Sequence, residues 1–475
     1  MTGKDTDTAM NDQHHEHEPD RSGGRRARSR WWAAGLAGMT GLALTAAGVT
    51  AGPAVDAVAH TLTSTGSERP HGSSADGDRG KHDDGKHDDK GKDDKGRGEK
   101  GKKPKGVPVP CKADALIAAI TLANARGGAI LDLAPKCTYL LTADIDGAGL
   151  PAITTPITLN GGKHTTIKRA AAAEQFRILT VNAGGDLTLN HLKITGGHTT
   201  DNGGGILVNA GGALTTNHST ITRNIASGNG GGILNVGSAI VSNSAVTHNI
   251  AQIDGGGINS QTQIKIFDSF IAHNRTVINS GGGAVIFGSA VINKSEITGN
   301  RAGNAGGGIA SASATILVVK SNIVDNTSVN NGGGISTPTG TQLALRHVFV
   351  ARNHAGGSGG GVFVNLNNHV IIEDSAIERN SATGNGGGLN NISTSILRRT
   401  KVTGNQAEEG GGIYNAATGT AALVSTKVVK NIAVTDGGGI FNQAGGTVEL
   451  NTATGTIVVK NRPDNCSGDV PGCVG

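Results

Sequence analysis

Ten glycine triplets, beginning at Gly203, Gly230, Gly255, Gly281, Gly306, Gly332, Gly359, Gly386, Gly410 and Gly437, recur at intervals of 24 to 27 residues. A period of that size marks one structural unit stacked on copies of itself. Other residues keep step with the triplets. An aliphatic residue directly follows most of them, as at Ile206, Ile233, Ile309 and Ile440. Five to seven residues before all but the first stands an asparagine: Asn224, Asn249, Asn274, Asn300, Asn326, Asn353, Asn380, Asn405 and Asn431. Three residues ahead of each asparagine lies another aliphatic (Ile221, Ile297, Val428), and two further back a hydroxyl in most repeats (Ser219, Ser295, Thr426).

Short β-branched runs such as Ile316-Leu-Val-Val, and the lack of a sustained 3.6-residue period after residue 200, make the elements strands. A unit of about 25 residues with three short strands and Gly/Asn turns fits one coil of a parallel β-solenoid. Coils about 4.8 Å apart place equivalent residues over one another, so ten triplets span roughly 43 Å. Inward aliphatics then form apolar stacks. The asparagines are expected to hydrogen-bond along the stack, as amide ladders do, and to supply the left-handed backbone of a sharp corner. The triplets provide positive φ and room for close approach. Composition agrees: 77 glycines and 2 % aromatics exclude an ordinary sandwich or helical bundle, and widely spaced triplets exclude collagen.

Residues 1–59 read as an export signal or membrane anchor. Arg21, Arg25, Arg26, Arg28 and Arg30 precede an uncharged stretch from Trp31 to Val55, and Ala57-Val58-Ala59 is a peptidase-type site. Residues 60–106 are low in complexity, with KHDDGKHDDKGKDDKG at their centre, and read as a disordered charged linker. Residues 107–475 form the β-helix domain. Residues 112–126 have a helical pattern with Leu116, Ile120 and Ala123 on one face, and are expected to cap the open N-terminal end. Cys111, Cys137, Cys466 and Cys473 allow three pairings; nearest-neighbour pairing, Cys111–Cys137 and Cys466–Cys473, gives one bridge to each end of the body. Structural disulfides imply an oxidising, extracytoplasmic compartment. The formal charge of +5 is spread too thinly to attract nucleic acid.

The GGG-Ile and Asn columns resemble the GGAI/FxxN repeats of chlamydial polymorphic outer-membrane proteins. The opening PCKADALIAAITLANARGGAILDLAPKCTYLLT and the closing NRPDNC resemble secreted β-helix proteins of actinobacteria. Over residues 107–475 the chain resembles the pectin-lyase-like superfamily, which implies an all-β, right-handed parallel β-helix. Lyases of that superfamily carry clustered Asp/Glu for calcium with an Arg or Lys base. Its hydrolases carry paired Asp, Gly-His-Gly and Arg-Ile-Lys. Residues 107–475 contain none of these sets.

The acidic candidates come from register. Glu409 and Asp436 each precede a triplet in adjacent coils, about 5 Å apart, with Glu408 beside them. Such a group suits Ca²⁺ or paired catalytic carboxylates. Elsewhere the same column holds Asn229, Asp254, Ser280, Asn331, Ser358 and Asn385, which reads as a solvated turn. The residues before the asparagines form a second column, with His248 beside His273 and an exposed ion pair between Asp325 and Arg352. Phe267, Phe270, Phe287, Phe349, Phe363 and Phe441 are expected to plug the core. The resulting expectation is an exported, monomeric, non-catalytic protein without a cofactor, touching cell-surface or extracellular polysaccharide or protein. It would meet a membrane only through its N-terminal segment. The alternatives are a polysaccharide lyase or glycoside hydrolase, and a structural spacer.

Overall fold

The computed structural model describes residues 106–474. The segment expected to be an export signal or membrane anchor, residues 1–59, and nearly all of the expected charged linker lie outside the described residues. Within them the chain winds into a parallel β-solenoid whose strands form four ladders of 14, 13, 12 and 10 strands. At the 4.8 Å spacing of paired strands the 14-strand ladder extends about 62 Å. One full coil shows the plan: Ile309–Ala312 after the triplet, Thr315–Val319, Asn322–Val324, then Thr327–Ser328 before the next triplet. The three strands expected per coil are thus four. The fourth has only two residues, too few to leave an alternating signature in a sequence.

Register is kept from coil to coil. Thr315–Val319 pairs residue for residue with Gln342–Arg346, and Ile323 lies over Val350. Ile206, Ile233, Ile258, Ile309, Ile335, Val362, Leu389, Ile413 and Ile440 are all buried in one continuous core, as are Ile221, Ile297, Ile323 and Val428. Each such side chain contributes roughly 1.5–3 kcal/mol on burial.

The nine asparagines form a ladder. Asn300 donates from Nδ2 to Asn326 Oδ1 at 3.0 Å and to the Ile271 carbonyl at 2.8 Å, and its backbone N–H reaches the same Asn326 oxygen at 3.0 Å. The links run unbroken from Asn224 to Asn431, then on to Asn461, which Asn465 terminates at 3.2 Å. The left-handed corner is not at the asparagine. It falls one residue earlier, at Arg223, His248, His273, Asp325, Arg352, Arg379 and Lys430, with φ between 53° and 58°. This turn aims the asparagine inward, where its amide serves the ladder. The hydroxyl column works similarly: Ser244 Oγ accepts the Ser219 N–H, and Ser269 Oγ that of Ser244, both at 3.1 Å.

The first glycine of each triplet has φ between 60° and 71°. The second and third permit close approach. A Cβ at Gly333 would stand 2.5 Å from the Gly360 carbonyl oxygen in the next coil.

The phenylalanines are not core plugs. Phe270 and Phe287 are 51 % and 40 % exposed, Phe267, Phe349 and Phe441 are partly exposed, and only Phe363 is buried. The interior between stacked coils is filled by Ile, Val, Leu and Ala. A phenyl ring fits it only near the N-terminal end, where Phe176 and Tyr139 are fully buried. Tyr139 donates to the Val109 carbonyl and accepts the Ala134 N–H, both at 2.9 Å. Helix α1, Ala113–Ala125, covers that end with Leu116, Ile120 and Ala123 buried. Asn124 pins it to the following coil through Ala152 O at 2.7 Å and Thr154 N at 3.0 Å. Both nearest-neighbour disulfides, Cys111–Cys137 and Cys466–Cys473, are formed.

Candidate functional site

The column before the triplets begins as structure. Its side chains cap the backbone N–H of the following coil: Asn229 Oδ1 accepts from Asp254 N at 3.1 Å, Asp254 Oδ1 from Ser280 N at 3.0 Å, and Asn331 Oδ1 from Ser358 N at 2.9 Å. Burial raises the Asp254 carboxyl above its ordinary value despite that backbone bond. The turn expected here from sequence is therefore half-buried and hydrogen-bonded.

Toward the C-terminal end the column becomes acidic. Glu409 and Asp436 do pair in register. Their side chains diverge, however. Glu409 Oε2 reaches back to Asn385 Nδ2 at 3.2 Å, while Asp436 Oδ2 accepts from Ser467 Oγ at 2.7 Å one coil onward. Glu408 is exposed, its backbone N–H on the Gly384 carbonyl. Among the described residues no three His, Cys, Asp or Glu side chains converge as metal ligands.

Asp436 has a different carboxylate partner, Asp464. Hydrogen bonds from Asp464 and Ser467 hold Asp436 below its ordinary value. Burial, and then the bond to Asp436, push Asp464 up. Both are tied to the last triplet, Asp436 Oδ1 accepting the Gly437 N–H and Asp464 Oδ1 the Gly438 N–H, each at 3.0 Å. Asp464 escaped the sequence reading because the final coil has no triplet from which to count its register.

An aromatic stack stands beside these carboxylates. Tyr414 and Phe441 occupy the position four residues after the first glycine of their triplets, paired in register on the outer face. Their rings are parallel to within 3°, with centroids 5.3 Å apart. The Tyr414 hydroxyl donates to Gln443 Oε1 at 3.2 Å, and the Ala417 N–H reaches the same oxygen at 3.1 Å. Burial first, and then the Glu409 charge, raise the Tyr414 phenol above its ordinary value. On the C-terminal side Phe441 is in register with Ser467.

The corner columns carry charge pairs. Arg352 holds Asp325 through two contacts of 2.8 Å, and Arg399 holds Asp374 at 2.6 and 2.8 Å. Glu373 lies between Arg346 and Arg398, each 3.1 Å away. His248 and His273 sit with ring centroids 5.2 Å apart, and burial first, with the neighbouring His273 and Arg223, lowers the His248 imidazole. An open depression of about 500 Å³ is lined by His347, Phe349, Asp374, Ser375 and Arg399 among others. Its Asp and Arg are already joined to each other. Comparison with family models, with curated proteins and with solved structures finds no match.

Proposed function

We propose that this is an exported, non-catalytic β-helix protein of pectin-lyase-like type, whose polar outer columns contact cell-surface or extracellular polysaccharide or protein. The observation that carries this reading is how Glu409 and Asp436 are used. Their backbones adjoin, yet each carboxylate is hydrogen-bonded away from the other, so they do not flank a common reacting centre. Two disulfides fit an oxidising, extracytoplasmic compartment. Among the described residues no helix is long and apolar enough to cross a membrane. The test is a pull-down of the purified protein on whole cells and extracellular matrix, run beside an ultraviolet assay for unsaturated products from polyuronates. Retention without product supports the contact reading. Product formation abolished by Glu409→Ala overturns it in favour of a lyase.

One observation favours a second reading, a glycoside hydrolase. Asp436 and Asp464 are adjacent carboxyls pushed in opposite directions, the arrangement that separates an acid from a base. Release of reducing sugar by the native chain, lost on Asp464→Asn, would establish it.

A further inference from the structure

We propose that the C-terminal end of the aromatic column binds an uncharged pyranose ring, laid on the far face of Phe441 with hydroxyls directed to Asp436 and Ser467. The inference rests on the contact reading above and gives it a location and a ligand chemistry.

The place follows from the stack. Tyr414 covers one face of the Phe441 ring in parallel geometry. The next residue along the column is Ser467, whose hydroxymethyl is too small to cover a phenyl ring. Its Oγ is drawn to Asp436 Oδ2. Phe441 remains partly exposed, although seven of the eight residues at the same position from Leu207 to Asn390 are buried, Leu207 being the exception. The column opens at Tyr414 and Phe441.

The ligand follows from the rim. An aromatic face takes the C–H face of a sugar by apolar contact, while the polar edge of the same ring needs partners beside it. Ser467 donates and accepts. Asp436 and Asp464 accept. Gln443, with its oxygen engaged by Tyr414 and Ala417, offers its amide nitrogen as donor. A mixed rim suits hydroxyls, which also do both. A guanidinium or ammonium only donates, and Asp436 already receives bonds from Ser467, Gly437 and Asp464, which reduces its pull on a cation. A uronate would bring a further negative charge toward two carboxyls and is disfavoured.

The experiment is calorimetric titration of the full chain with malto-, cello-, xylo- and manno-hexaose, beside hexagalacturonate and a hexa-arginine peptide. At least one neutral hexasaccharide should bind saturably, weakened tenfold or more by Phe441→Ala and by Asp436→Asn. Phe287→Ala, which removes a more exposed ring in another column, should leave it unchanged. Tyr414→Phe keeps the stack and should retain most of the binding, which separates a ring platform from loss of the end coil. Failure of all four neutral sugars overturns the proposal, as does binding that survives Phe441→Ala or a preference for the arginine peptide or the uronate. If whole-cell retention persists in the native chain while every sugar fails, this site falls and the contact reading stands.

Discussion

Two columns run through the triplet-bearing coils of the solenoid at the same spacing, and they are built differently. The interior asparagines from Asn224 to Asn431 are all alike and all buried. The outer column before the triplets varies among Asn, Asp, Ser, Ala and Glu, and is half-buried or buried. Inside, every amide needs its successor: Asn326 Oδ1 receives two bonds from Asn300, and its Nδ2 supplies Asn353 and the Ile297 carbonyl. Away from water, losing one member strands several polar groups. Outside, one oxygen capping one N–H is enough, and water replaces what a substitution removes. The interior therefore fixes the fold, while the outer column is free to change its chemistry, as it does at Glu409 and Asp436.

The largest effect should come from Gly333→Ala, which places a methyl against the backbone of the next coil. It should cost about 4 kcal/mol or more, the range of overpacking at a site that cannot relax. Hydrogen exchange should show protection lost on both sides of that junction. Asn326→Ala comes next, at about 3 kcal/mol, because it orphans the Asn300 amide and the Ile297 carbonyl. A denaturation midpoint equal to the native one would show that the interior ladder is dispensable and erase the contrast. Asn331→Ala, one coil position away in the outer column, removes only the cap on the Ser358 N–H and should cost about 1 kcal/mol.

A smaller, pH-dependent effect separates the acidic end. Asp464, raised in the fold by burial and then by Asp436, keeps its proton in the native chain where the unfolded chain has lost it. Its contribution is present below the ordinary carboxylate value of 3.8 and declines as pH rises through the folded value. Asp436, held low by Asp464 and Ser467, acts in the opposite sense: its contribution is present above 3.8 and lost as pH falls through its folded value. Asp464→Asn should thus remove the decline of end-coil protection as pH rises above the ordinary carboxylate value, followed by exchange at Gly437 and Gly438. The smallest effect belongs to Arg352→Ala. Its exposed bidentate pair with Asp325 should be worth at most about 1 kcal/mol and vanish in molar salt.

Much of this was legible because a period is also a vertical register. Counting from one triplet to the next places Asn300 over Asn326, His248 beside His273, Asp325 beside Arg352 and Glu409 beside Asp436. Periodicity reports which residues share a column, but not which way the column faces. That is why the phenylalanines were expected inside, and why the left-handed corner was assigned to the asparagine and not to its predecessor. Where the repeat ends, counting ends too. Asp464 and Asn465 belong to a coil without a glycine triplet, so their meetings with Asp436 and Asn461 have no sequence signature. The interior amide run Asn391–Asn415–Asn442, linked at 2.8 Å, was missed for another reason. Its upper members are Asn235, Ser260 and Ile286, so no single residue type marks the column.

Each coil hydrogen-bonds only to the one before and the one after, and every junction between triplets presents the same backbone surface. In-frame duplication or loss of one 24–27-residue unit would consequently leave all remaining junctions chemically unchanged and alter the reach of the rod by about 4.8 Å. Length in such a molecule is inherited in whole steps, so lineages could adjust how far the outermost coil stands from its base without redesigning a single contact.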